Sequence, residues 1–200
     1  MNVTRKAGQK MMDFLLHMLN IFSKIKLRAR GIKISGSKIY IRKKFRFIGN
    51  PENIEINGRE GLYIGQNSMI TCSGRGGVKI GLQFSATENL RLTCLNRVEI
   101  GDYVLLGSSV TIIDCNHGMY AENSRGYAKQ EMLLEEVCIE NGVWCGDHVI
   151  ILLGVTIGQH SIIGAGSVVV KSIPEYCIAA GNPAKVMKKW NFLNKNWEKV

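Results

Sequence analysis

Apolar residues recur every six positions through the second half of the chain. Ile139, Cys145, Ile151, Ile157, Ile163 and Val169 share one register, and Val143, Val149, Val155, Ser161, Ser167 and Ile173, four residues further on, are β-branched or small. An upstream block keeps the pattern, with Ile64, Ile70, Ile100, Leu106 and Ile112 in the first register and Val104 and Val110 in the second. A period of six is not that of a helix. It predicts three short strands per coil, each closed by a turn, with two inward residues per strand. Aliphatic side chains then stack coil upon coil in a triangular prism too narrow to hold a cavity, so chemistry must sit on its outer faces. Glycine directly follows the register residue at Gly65, Gly101, Gly107, Gly146, Gly158 and Gly164, where the turn is expected to use its tolerance of positive φ. Ile80 and Ile100 stand 20 residues apart rather than 18, which leaves the phase open between 76 and 98; a slip of two preserves in/out alternation.

The period breaks once. Ile112 and Ile139 are 27 residues apart, so the segment 113–136, beginning Asp114-Cys115-Asn116-His117-Gly118, is expected to leave the prism as a loop. Long loops on rigid scaffolds commonly carry function. The chain thus divides into a basic amphipathic segment 1–34, a β-helix 35–182 and a short tail 183–200. In the first, Met11, Leu15, Met18, Leu19 and Phe22 have helical spacing, predicting a helix over about 4–30 that either packs on the prism or lies on a membrane interface. The tail reads as a short basic helix, with Pro183 at a favoured first-turn position.

Composition sharpens this outline. Twenty-two Gly against three Pro point to many tight turns rather than to disorder. The six Cys form no CxxC pair and no metal-ligand cluster, which suggests free thiols in a reducing cytoplasm. No stretch approaches the ~20 apolar residues of a membrane span. The formal net charge of +10 is uneven, because residues 1–46 hold 13 of the 26 Lys and Arg against a single acid, Asp13. Such an end suits a polyanion or an anionic membrane surface, or is merely a solvated basic face. Nucleic acid is not expected, since basic and aromatic residues do not interleave.

Five stretches between Ile100 and Lys188 carry a family resemblance. They are Asn116-His117-Gly118, Val143-Trp144-Cys145-Gly146, Gly154-Val155-Thr156-Ile157-Gly158, Gly164-Ala165-Gly166-Ser167-Val168-Val169 and Ala180-Gly181-Asn182-Pro183-Ala184-Lys185. In this order they resemble the hexapeptide-repeat acetyltransferases, in the branch of the galactoside, maltose and xenobiotic enzymes and many capsule or O-antigen O-acetyltransferases. The resemblance implies an all-β solenoid, a left-handed parallel β-helix, assembled as a homotrimer with active sites between subunits and acetyl-CoA as co-substrate without a metal. It makes His117 the catalytic base. Trp144, Ala165, Lys171, Lys185 and Lys188 would line the acetyl-CoA groove, while Asn89 and Asn116 would lie on the acceptor side. The loop differs throughout from the family's, so the acceptor does not carry over.

An imidazole suits the expected chemistry, being mostly free base at neutral pH yet able to hold a proton. Direct transfer to a sugar hydroxyl in surface polysaccharide synthesis is the expected reaction, in the cytoplasm and with peripheral contact to the inner membrane. N-acetylation of a nucleotide-linked amino sugar and a non-catalytic glycan-binding scaffold are the alternatives. Cys115 keeps a covalent route open. The zinc carbonic anhydrases of the same fold would need a second His soon after the first, but five residues past His117 stands Glu122. His148 and His160 fall within regular repeats and read as surface or packing residues, and His17 suggests no role.

Overall fold

The computed structural model describes residues 27–36, 38–122 and 126–200, together with Met18, Ile21 and Ile25. Most of the expected N-terminal helix, including Met11, Leu15 and His17, lies outside the described residues. The rest forms six three-stranded coils whose strands stack into three parallel sheets, the faces of a prism. Coil 1 comprises Lys33–Gly36, Ile39–Ile41 and Arg46–Gly49; coil 2 comprises Ile54–Gly58, Leu62–Ile64 and Met69–Cys72; coil 3 comprises Gly77–Ile80, Phe84–Ala86 and Arg91–Cys94. Coil 4 comprises Arg97–Ile100, Leu105–Leu106 and Thr111–Ile113; coil 5 comprises Val137–Ile139, Trp144–Cys145 and Ile150–Ile151; coil 6 comprises Thr156–Ile157, Ile162–Ile163 and Val168–Val169. In each coil the three strands supply the first, second and third face in that order. Cys177–Gly181 extends the second face beyond coil 6.

Every register residue of the hexapeptide pattern is buried, and one continuous apolar column runs through all the coils. Ser161 and Ser167 are polar exceptions in the inward set of the last coils, as Ser68 is in coil 2. The Ser161 hydroxyl donates to Pro174 O at 2.7 Å and accepts from Cys177 N–H, and that of Ser167 donates to Gly164 O at 2.6 Å and accepts from Gly181 N–H. Both therefore tie the closing strand to coil 6 without leaving a buried hydroxyl unpaired. The open phase is resolved by pairing. Ile80 sits directly on Ile100, and Ile100 on Ile139, so the extra residues are absorbed in the corners and the inward set never slips.

The structure corrects the reason for the glycines. Those following the register residue have ordinary φ; the left-handed residue comes two positions later, as Asn67, Tyr103, Ser109, His148, His160 and Gly166. What excludes a side chain is the next coil. A Cβ on Gly146 would lie 2.8 Å from Ala165 N, closer than real Cβ atoms approach. The left-handed corners also account for His148 and His160, the latter stacked on Tyr176 with ring centroids 5.4 Å apart.

The expected C-terminal helix is a β-hairpin instead. Ala184–Asn191 pairs antiparallel with Cys177–Gly181 and then with Asn196–Lys199, Trp190 facing Trp197. Its rings meet edge to face at 5.2 Å. The strand Cys177–Gly181 would otherwise end the second sheet with an open row of backbone donors and acceptors, which the hairpin satisfies. At the other end Met18, Ile21, Ile25 and residues 27–29 are helical, and Leu27 and Ile32 close the core. Among the described residues no helix is long and apolar enough to cross a membrane.

Candidate active site

The break in the repeat is an antiparallel ribbon, Cys115–His117 against Met132–Leu134, thrown from the corner between the third face of coil 4 and the first face of coil 5. A buried carboxylate anchors it. Asp114 is fully enclosed, and its two oxygens accept Leu95 N–H and Asn96 N–H from the coil below, each at 2.8 Å. Its own backbone carbonyl accepts Glu135 N–H at 3.0 Å, joining the outgoing and returning strands. Further out, the Gln130 amide accepts Tyr120 N–H and donates to Tyr120 O, both at 2.8 Å. His117 therefore stands exposed on a ribbon fixed at its base and braced above, opposite Met132. Met119, Tyr120 and Tyr127 add exposed apolar surface further along the excursion.

Asn116 is the neighbour of His117 on this ribbon, and its side-chain carbonyl accepts His117 N–H at 2.9 Å. Cys115 is 9% exposed, and burial, then the charge of Asp114, push its thiol up from its ordinary range. A thiol held protonated is a poor nucleophile.

The other predicted residues lie elsewhere on the prism. Trp144 is on the second face, 49% exposed, between Leu105 below and Ile162 above. It belongs to an outward ladder of Tyr63, Ser85, Leu105, Trp144, Ile162 and Ile178 that is almost wholly apolar. Ala165 caps the top of this face at its corner with the third, exposed in the turn after Ile162–Ile163. Asn89 occupies the same edge three coils lower, left-handed at φ 56° and half-buried. Lys185 and Lys188 are exposed on the C-terminal hairpin that prolongs the second face. Lys171 alone shares the edge of the ribbon, two coils above Asp114.

One chain therefore carries the predicted residues in two groups on different edges. The ribbon edge gathers His117, Asn116 and Lys171; the second face and its far corner gather Trp144, Ala165, Lys185 and Asn89. Three shallow concavities lie along the first face, one of about 360 Å³ between Lys79, Glu99, Cys138, Glu140 and Gln159, and none is lined by these residues. Among the described residues no group of three or more His, Cys, Asp or Glu is placed to hold a metal ion. Sequence reasoning assigned no role to Asp114 or Gln130. The stacking of the coils reveals Asp114: it stands one coil above Cys94, which itself stacks on Cys72, so a carboxylate takes a place that the coils below fill with thiols.

Comparison with known proteins places this architecture. The chain is 36% identical over 153 residues to galactoside O-acetyltransferase of Escherichia coli K12, covering 72% of this chain and 74% of that protein. It is 35% identical over 151 residues to WbbJ of the same organism, named for O-acetyl transfer in lipopolysaccharide biosynthesis, covering 72% and 77%. A galactoside acetyltransferase solved with coenzyme A superposes with a TM-score of 0.55 at 33% identity, over 79% of this chain and 72% of that one. A hexapeptide-repeat acetyltransferase of Vibrio cholerae, solved with acetyl coenzyme A, shares the fold at 23% identity and a TM-score of 0.55, over 95% and 91%. No family model matches the chain.

Proposed function

The chain belongs to the hexapeptide-repeat acetyltransferases, and from that premise we propose that it moves the acetyl group of acetyl-CoA to a sugar hydroxyl, with His117 as general base, in a homotrimer whose sites lie between neighbouring copies. The observation that carries this reading is the separation of the two groups. His117 stands on one edge of the prism and the Trp144–Ala165 surface on another, so a complete site requires the ribbon of one copy beside the second face of the next. The apolar ladder through Leu105, Trp144 and Ile162 suits such a contact. A sugar hydroxyl is the acceptor of choice because the two relatives described above are named for O-acetyl transfer, to a galactoside and in lipopolysaccharide biosynthesis.

The His117 imidazole takes the hydroxyl proton as the sugar oxygen attacks the thioester carbonyl, and returns that proton to the departing thiolate of coenzyme A. Asn116 holds the ribbon backbone at His117, and the exposed rings of Tyr120 and Tyr127 offer flat apolar surface to a pyranose. Lys185 and Lys188, with Lys171 from the adjoining edge, supply cations for the nucleotide phosphates of the donor. Transfer is direct, since the Cys115 thiol is buried and held protonated.

Calorimetric titration with acetyl-CoA tests the donor side without knowledge of the acceptor. One site per chain is expected, weakened when Lys171 and Lys185 are both replaced by Ala. A folded protein that binds no acetyl-CoA would refute the reading. With a sugar acceptor found by screening, His117→Ala must cut turnover at least about a hundredfold while leaving acetyl-CoA binding intact.

A further inference from the structure

The net positive charge of this protein is carried by the first quarter of the chain, whose described part includes coil 1. Residues 1–46 carry 13 cations and one acid, which leaves 13 cations against 15 acids in the remaining chain. Between Asp13 and Glu52 there is no acid at all. Coil 1 alone holds Lys33, Lys38, Arg42, Lys43, Lys44 and Arg46, every one exposed, and among the described residues only Lys33 has an ion-pair partner, Glu55 at 3.3 Å. The helical turn before it adds Arg28 and Arg30, with the Arg28 guanidinium donating to Ile34 O at 3.1 Å and so fixing that turn to coil 1.

Apolar side chains are exposed among these cations. Leu27 turns into the core, but Ile21 and Ile25 are 37% and 59% exposed. Four residues apart on a helix, they share a face. Ile48, 51% exposed, lies in the last strand of coil 1. Charge alone would suit any polyanion. Isoleucines left in solvent among the cations add nothing to binding a soluble glycan or nucleotide, whereas a lipid interface takes up both kinds of side chain at once.

We infer that the coil 1 end of the prism is a docking surface for an anionic lipid bilayer. The cations of coil 1 contact the headgroup phosphates, and Ile21, Ile25 and Ile48 enter the boundary with the acyl chains. This orientation sets the prism axis across the surface plane and fixes the height of the chemistry. The ribbon bearing His117 leaves after coil 4, three strand spacings or ~14 Å from coil 1, within reach of a sugar displayed on a membrane lipid. The docking itself depends neither on that acceptor nor on the proposed role of His117.

Co-sedimentation of the full chain with vesicles tests the inference, using phosphatidylcholine alone and phosphatidylcholine mixed with phosphatidylglycerol. Binding is expected only to the mixed vesicles and should weaken as salt screens the contact. The double substitution Arg42→Glu with Lys43→Glu, at exposed corner positions, should lower partition at least about tenfold. Ile21→Ser with Ile25→Ser should lower it several-fold more than it lowers binding to soluble polyphosphate. Unchanged acetyl-CoA binding by both variants shows that they remain folded. Equal binding to neutral vesicles, no binding to either kind, or insensitivity to the charge reversal would overturn the inference. So would isoleucine variants that bind the mixed vesicles as well as the parent chain, which would mark the surface as a site for soluble polyanions.

Discussion

The ribbon that carries His117 and the coils that follow it are built under opposite rules. In coils 5 and 6 every strand sits 18 residues from its neighbour, the inward positions are fully buried, and each side chain is determined by the one stacked above it. In the ribbon, strands pair antiparallel and most side chains past Cys115 face solvent, so apart from the Asn116 and Gln130 hydrogen bonds their identity is set mainly by what they touch outside the chain. Substitutions in the coils should therefore be read in stability, and those in the ribbon in chemistry.

The sharpest test of that division is His117→Ala, which should cut kcat by about a hundredfold to ten-thousandfold while the thermal midpoint stays unchanged. A large loss of stability would place His117 with the coils. In the opposite sense Ile151→Ala, at a fully buried register position, should cost about 2–5 kcal/mol in denaturant unfolding, with kcat preserved below the transition. Asp114 joins the two regions and should move both readouts. Asp114→Ala orphans the amides of Leu95 and Asn96 at about 1–3 kcal/mol each, and loosens the ribbon so that kcat falls as well. Cys115→Ala should leave kcat within about twofold, and a larger loss would reopen the covalent route. The smallest effect is alkaline. Burial pushes the Cys145 thiol up to about 12 from 9.0, so its contribution to stability is complete below pH 9 and is lost as pH rises toward 12. Cys145→Ala should flatten that part of the stability profile.

The same contrast explains what the sequence revealed. Coils 5 and 6 were legible because their corners have minimal length, so a strict period of six survives along the chain. Coils 1 to 3 advance by 20 to 24 residues, and only strand pairing shows that Ile56, Ile80 and Ile100 form one stack. The glycines were found for a different reason from the one expected, since a close approach between coils leaves no trace in a single chain's turn preferences. The C-terminal hairpin was misread because Pro183 at a favoured first-turn position and the basic residues after it suggested a helix. Its strands exist through the open edge of Cys177–Gly181, which a local pattern cannot report. His117 was found from its place at the break and from the motif around it. The Asp114 anchor needed the pairing of coils 3 and 4, which brings Leu95 and Asn96 beneath a residue some twenty positions later.

Mixing two inactive variants tests the central claim most directly. His117→Ala removes the proposed base from the ribbon edge, and Ala165→Trp places a bulky ring in the proposed acetyl-CoA site at the far corner of the second face. If each active site joins the ribbon of one copy to the second face of another, subunits unfolded and reassembled together will recover part of the parental acetyl-transfer rate, although neither variant has activity alone. A mixed assembly that forms yet remains as inactive as its parents would place the whole site within one chain and contradict the account.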